Sequence, residues 1–308
     1  MVFCSKCGKD LPENAYFCPA CGIRTGKGAE ANVPMPYGDI LSGIAWYRAQ
    51  KTMQFEGNVN ANAIVLAVAN RNGPINVSTW DQPGYRIELT IKAKGYTDIE
   101  AQSIIDSLNI SVTEQRIQNA LRIVLNYDFP DILWKKLAIE VTARLPTSAP
   151  ISLDLQSSNG GIYLTNINGD SIDIQTSNGQ LVLNNVYANN IQGSSSNGAI
   201  TGEIEAVSTV LNTSNGKIEL TIPCKNSSNY NLETSNGQVA LTVSSSSNVA
   251  YDLDLSTSNG EVTIDLTALE YTKNERTSKI AKTTGFENQN VQVVIRGKTS
   301  NGNIKIGP

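Results

Sequence analysis

Histidine is missing from all 308 residues. Its absence removes the commonest general base, the Ser/His and Cys/His nucleophile pairs, and imidazole as a metal ligand. Aromatic residues are scarce at 6 %, so platforms for a stacked ligand are few. No apolar run approaches the ~18 residues of a membrane-spanning helix. The chain opens on cysteines rather than on a basic stretch followed by an apolar one, so no signal peptide is expected. Together these point to a cytoplasmic protein with reduced thiols. Cations are nearly absent from one long stretch. Between Ile151 and Thr272 there are twelve Asp and Glu residues against Lys217 and Lys225 alone. Such a surface repels phosphate backbones and anionic lipid heads, so no nucleic-acid partner is expected for it.

What is abundant is one tripeptide, Ser-Asn-Gly. It occurs with its Asn at Asn159, Asn178, Asn197, Asn215, Asn236, Asn259 and Asn301, in steps of 19, 19, 18, 21, 23 and 42 residues. Apolar residues fall three and five places after most of these Asn residues, as in Ile162/Leu164, Leu181/Leu183 and Ile304/Ile306. They also fall six and four places before, as in Leu153/Leu155 and Ile172/Ile174. Alternation with a period of two marks a strand with one buried face. Asn-Gly tolerates positive φ, so the chain is expected to corner sharply there. The inward parity changes from even to odd across each Asn, which keeps the apolar side facing the same way.

Two architectures fit. Asn-Gly by itself favours an antiparallel meander of hairpins. The near-constant period favours a β-solenoid whose equivalent corners stack at the interstrand spacing, and so does the Ser or Thr before most Ser-Asn-Gly units. Like residues in such a stack can form hydrogen-bonded ladders. The four aliphatic side chains of one period cannot offset the cost of ordering its backbone, so neighbours must stabilise one another. The expected fold is therefore all-β, a single-stranded β-solenoid (β-helix) with a small inserted helix.

A separate signal stands at the N-terminus. Cys4 and Cys7, then Cys18 and Cys21, form two Cys-x-x-Cys pairs, each followed by glycine. Four thiolates are the donor set of a closed tetrahedral zinc site, and so short a segment needs the metal to fold. Residues 3 to 24 resemble the short zinc-ribbon family, with one structural Zn²⁺ expected on Cys4, Cys7, Cys18 and Cys21. The ten-residue spacer is expected to hold a hairpin. Redox-active disulfides are the weaker alternative, and Cys224 reads as an ordinary residue.

The domains follow: 1–24 zinc ribbon, 25–54 linker and short helix, and 55–308 solenoid, with an insertion at about 85–145 and regular repeats at 151–308. Asp39 to Tyr47 is expected to be the short helix. Asn72-Gly73, with Leu66/Val68 before it and Ile75/Val77 after, reads as an eighth, degenerate coil. Asp98 to Leu108 has Ala101, Ile104, Ile105 and Leu108 at helical spacing.

Several features then resemble a known family, the putative-adhesin domain of unknown function. They are Phe55-Glu56-Gly57-Asn58-Val59-Asn60-Ala61, the Asn72-Gly73 unit followed by Trp80-Asp81, Pro146 before the array, and the serial Thr-Ser-Asn-Gly repeats. The resemblance runs from about Phe55 to the C-terminus and implies a single-stranded β-helix. It supplies no activity and no site residues.

The expected function is a non-enzymatic structural or interaction protein, a ribbon-tethered scaffold whose protein partners the sequence does not name. The alternative is a carbohydrate- or polymer-binding module using the Asn/Ser/Thr face, with Tyr163, Tyr187, Tyr230 and Tyr251 as platforms. An enzyme would need clustered charges, whereas Asp154, Asp170, Asp173, Asp252 and Asp254 read as scattered. A calcium-binding nonapeptide series is absent, and residues 1–30 carry four basic and three acidic groups, too balanced for a phosphate footprint. The coil around Asn301, close to Pro308, is expected to leave an open edge through which the solenoid end self-associates.

Overall fold

The computed structural model describes residues 2–3, 10–11 and 46–308. It divides the chain into two units, Met1–Ile44 and Ala45–Pro308. In the first, Val2–Phe3 pairs antiparallel with Asp10–Leu11. The second is all-β, with one α-helix among the described residues at Asp98–Asp106.

Period-two alternation becomes strand in every repeat. Ile151–Ser157 buries Ile151, Leu153, Leu155 and Ser157 and turns the residues between them outward. Successive repeats lie parallel and in register: Leu153 opposes Ile172, Ile172 opposes Ile191, and Ile162 opposes Leu181, which opposes Ile200. The Asn72 unit belongs to the same stack, since Ala63–Ala69 pairs with Ile151–Ser157 and Ile75–Trp80 with the start of Ile162–Thr176. Aliphatic side chains from all the layers form one continuous core.

The unequal periods have local causes. The 18-residue step loses one residue at a second corner, where Leu183 opposes Gly202 but Val186 already opposes Ile204. Asn166 and Asn185 hold that corner in the left-handed region, at φ 55° and 61°, and in the shortened layer Gly202, opposite Leu183, is the residue at positive φ, 142°. The 21- and 23-residue steps carry extra loop residues, after Ile218–Ile222 and after Val239–Val243.

The order of layers departs from the order of the chain at both ends. Ala120–Asp128 and Leu137–Pro146 form a further layer, parallel to Ala63–Ala69 and Ile75–Trp80 and outside them. The 85–145 segment is thus partly a layer of the stack, and the rest of it covers that layer. Asn109–Ile117 and Gly84–Gly95 pair antiparallel onto it, and Trp46–Asn58 pairs antiparallel onto Gly84–Gly95. The helix forms as its spacing predicts: Thr97 caps it, its hydroxyl accepting from Glu100 N, and Ala101, Ile104 and Ile105 are buried.

At the other end the last coil does not lie outermost. Val291–Thr299 sits between Ser228–Thr234 and Val249–Thr257, and Ile304–Gly307 between Val239–Val243 and Val262–Ile264. Both edges of the Asn301 coil are therefore paired, and the open edge expected there does not exist. The Asn259 layer is outermost. A hairpin of Leu269–Asn274 and Ser278–Thr283 covers it, with Ser278–Thr283 antiparallel to Val249–Thr257.

One further expectation is corrected. Trp46 and Tyr47 begin the strand Trp46–Asn58 rather than end a helix, so residues 46–54 are neither helix nor linker. The rest of the expected helix, residues 39–45, lies outside the described residues.

Candidate functional site

The repeated tripeptide builds a column of corners in which each residue type has a separate task. From Asn178 onward the hydroxyl two places before each Ser-Asn-Gly Asn points inward and links two layers. Thr176 Oγ1 accepts from its own Gly179 N at 3.2 Å and donates to Gly160 O in the adjacent layer at 2.9 Å. Ser195 and Thr213 repeat the pattern with Gly198 and Gly216. Thr234, Thr299 and Thr257 donate likewise to Gly216, Gly237 and Gly302. These buried hydroxyls satisfy carbonyls that would otherwise lie inside the protein without a partner.

The Asn side chains pair with one another along the column. Asn159 donates to Asn72, Asn178 to Asn159, Asn197 to Asn178, Asn215 to Asn197 and Asn236 to Asn215, at 2.6–2.8 Å. Asn301 then donates to Asn236 and Asn259 to Asn301, at 2.7 and 2.8 Å. Asn72 starts the chain by donating to Trp134 O at 2.5 Å.

Glycine is required for close approach and not for its φ. Among the glycines of the Asn-Gly units only Gly73 has positive φ, at 119°. A Cβ on Gly179, Gly198, Gly216, Gly237 or Gly302 would instead land on the carbonyl oxygen of the glycine in the adjacent layer. The expectation that Asn-Gly is used for left-handed backbone is corrected accordingly.

Of the proposed platform tyrosines, Tyr230 and Tyr251 are buried, at 1 % and 4 % exposure. Tyr163 and Tyr187 are half-buried. The Tyr163 hydroxyl accepts from Gln180 Nε2 at 3.0 Å, and the Lys225 ammonium stands 5.3 Å from the Tyr187 ring centre. The carboxylates are less scattered than the sequence suggested. Asp154 and Asp173 are register partners. Burial, and then the Asp154 charge, raise the Asp173 pKa above its ordinary value. Asp252 is paired with Arg296 at 2.8 Å and lies 3.6 Å from Lys282.

One convergence escaped the sequence. Glu56, Gly57 and Asn58 meet Trp80 in a groove of about 570 Å³ lined also by Gln82, Pro83 and Arg86, among others. Its polar groups are mostly satisfied internally. Trp80 Nε1 donates to Gly84 O at 2.8 Å, Arg86 bonds Glu56 at 2.5 Å, and the neighbouring Tyr85 hydroxyl donates to Glu114 at 2.7 Å. A Cβ on Gly57 would strike the Tyr85 ring, and one on Gly84 would strike Gly57 O. These residues seal the end of the stack. Their spacing along the chain gave no sign that they meet.

Cys4, Cys7, Cys18 and Cys21 lie outside the described residues. Their donor set fits zinc: four thiolates close a tetrahedron and leave no position for water. Among the described residues no cluster of His, Cys, Asp and Glu could hold a metal ion.

An all-β unit of stacked parallel layers, preceded by a four-cysteine segment, defines the class. A zinc-ribbon domain model matches residues 3–24. The Toastrack DUF4097 model matches residues 49–307, and the chain belongs to that family. No curated protein matches the chain. Among solved structures it is similar to a putative cell adhesion protein from Clostridium sporogenes, at 12 % identity over 83 % of this chain and 99 % of that one, TM-score 0.39. It is also similar to a putative adhesin from Bacteroides fragilis, at 11 % over 84 % and 98 %, TM-score 0.35. A putative lipid binding protein from Parabacteroides distasonis aligns at 11 % over 83 % and 96 %, TM-score 0.39. Likenesses this distant carry no inference about function. No helix among the described residues is long and apolar enough to cross a membrane.

Proposed function

We propose that the protein is a non-enzymatic interaction scaffold, a single-stranded β-solenoid joined to a structural zinc ribbon. Cys4, Cys7, Cys18 and Cys21 hold the zinc, which supplies folding free energy and no reactive position. Thiolates kept for a metal suit the reducing cytoplasm. The observation that carries the reading is where the repeated polar groups point. Asn carboxamides bond each other along the column, and the Ser and Thr hydroxyls two places before them are buried as links between layers. The most regular feature of the chain is spent on stiffness.

The same observation weakens the carbohydrate- or polymer-binding alternative. The Asn row has part of its bonding capacity committed, the inner hydroxyl row is unreachable, and two of the four tyrosines are inside. A glycan array screened with the purified full-length chain, beside proximity labelling in the native cell, separates the two. A scaffold gives reproducible protein neighbours and no saturable glycan signal. A saturable glycan interaction that competes with free sugar overturns the scaffold reading.

A further inference from the structure

The tripeptide that builds the column is also chemically fragile, because asparagine is a thermolabile residue and glycine after it offers no Cβ to hinder attack. In Asn-Gly the glycine amide nitrogen attacks Cγ of the Asn carboxamide. The N–Cγ bond forms, the Cγ–Nδ2 bond breaks, and the carboxamide nitrogen leaves as ammonia with the amide proton. Water then adds across one ring bond of the resulting succinimide and leaves aspartate or isoaspartate. The reaction needs an Asn side chain free to swing toward the backbone and a glycine N–H free to give up its proton.

Four corners withhold both. The N–H groups of Gly160, Gly179, Gly198 and Gly216 donate to the hydroxyls of Ser157, Thr176, Ser195 and Thr213, at 2.9–3.2 Å. Those hydroxyls are buried, so water does not compete for them. Asn159, Asn178, Asn197 and Asn215 each donate to one Asn of the row and accept from the next. The bonds that stiffen the stack therefore also guard its most reactive sequence.

The guard thins toward one end. Asn236 and Asn301 still donate and accept within the row, but among the described residues no acceptor takes the N–H of Gly237, Gly260 or Gly302. Asn259 ends the row. It is exposed and donates to Asn301 Oδ1 at 2.8 Å, and among the described residues nothing donates to its own Oδ1. Asn72 at the opposite end is held by its bond to Trp134 O as well as by Asn159. Asn168-Gly169, outside these corners, lies within the strand Ile162–Thr176, whose extended backbone turns the amide away from the side chain. We propose that Asn259-Gly260 is a site of spontaneous covalent modification, where the folded protein deamidates while the column preserves the other Ser-Asn-Gly units. The product gains a negative charge and loses the amide hydrogen that reaches Asn301, so the outermost layer is the first to loosen.

Full-length protein held folded in warm, mildly alkaline buffer, beside a sample unfolded in urea, tests this. Peptides cut at acid pH are read by mass spectrometry, with fragmentation that places each modification and separates isoaspartate from aspartate. In urea the seven Ser-Asn-Gly units should react at similar rates. In the folded chain Asn259 should lead the row, about thirtyfold ahead of Asn178 and Asn197, as its two missing hydrogen bonds imply. Asn236 and Asn301 should fall between. Asn259→Gln, whose longer side chain disfavours ring closure, should remove the leading modification and leave the others unchanged. Thr213→Val frees Gly216 N and should bring Asn215 forward about tenfold, with Asn178 as the reference in the same sample. A different unit leading the row, folded and unfolded chains reacting alike, or an Asn215 unmoved by Thr213→Val in a chain that still folds, overturns the proposal.

Discussion

Each corner residue answers to a different force, so substitutions within one corner should rank in a definite order. Gly198→Ala pushes a Cβ into the Gly179 carbonyl, a piece of backbone that cannot step aside, and should cost at least the ~1–3 kcal/mol of overpacking. Thr213→Val leaves Gly216 N and Gly198 O without their buried partner, about 1–3 kcal/mol. Asn197→Ala breaks two ladder bonds. Water reaches that exposed row, so the loss should be nearer ~1 kcal/mol. Urea unfolding midpoints should fall in that order, and Asn197→Ala as the most damaging of the three would show that the ladder matters more than the packing. Asp173 gives a test of sign. Its pKa is raised in the fold by burial and by Asp154, so its ionisation removes stability as pH rises through that value. Asp173→Asn should raise the melting temperature at neutral pH and change it little in acid, where the wild-type carboxyl is already neutral. The identity of the corner residues was legible in the sequence and their reason was not. Asn-Gly suggested left-handed backbone, whereas contact with the next layer, invisible in one repeat, is what excludes a Cβ.

Strands and helix were legible because their signals are local. Alternation placed the strands that flank the Ser-Asn-Gly units, such as Ile151–Ser157, and spacing placed the helix that forms at Asp98–Asp106. The order of the layers was not legible. One Thr-Ser-Asn-Gly coil offers the same edge as any other, so the repeat alone does not say which lie side by side. The choice falls to the covers, and the hairpin of Leu269–Asn274 and Ser278–Thr283 pairs with the Asn259 layer and makes it terminal. The last coil consequently closes a gap between two layers already synthesised. Deleting residues 291–308 should strip Val249–Thr257 of its parallel partner and Asn259 of its acceptor. Hydrogen exchange should then accelerate across residues 244–290 while 151–222 keeps its protection, as expected where each layer leans on its neighbours. Ile306→Lys buries a charge between Leu241 and Ile264 and should loosen the same region. Uniform protection in the truncated chain would mean that the Asn259 layer stands on its cover alone.

At the scale of the molecule, the proposed zinc ribbon and the stacked layers draw stability from unlike sources. Residues 46–308 rest on a continuous aliphatic core and on hydrogen bonds that run from layer to layer. On the proposed reading, the N-terminal segment, with four thiolates and too few residues to bury a core, takes its folding free energy from coordination. Elemental analysis of protein purified reduced and without chelator should find one zinc per chain, and none if Cys4 and Cys7 are both changed to Ser. Stripping that zinc with a strong chelator should abolish the order of the ribbon and expose four reactive thiols, with Cys224 staying protected by burial. The cooperative unfolding transition of the stack should keep its midpoint, because nothing removed by the chelator contributes to the layers. A midpoint that falls with zinc loss would show that the two units do not fold independently, and the chain would then have to be treated as one metal-dependent body.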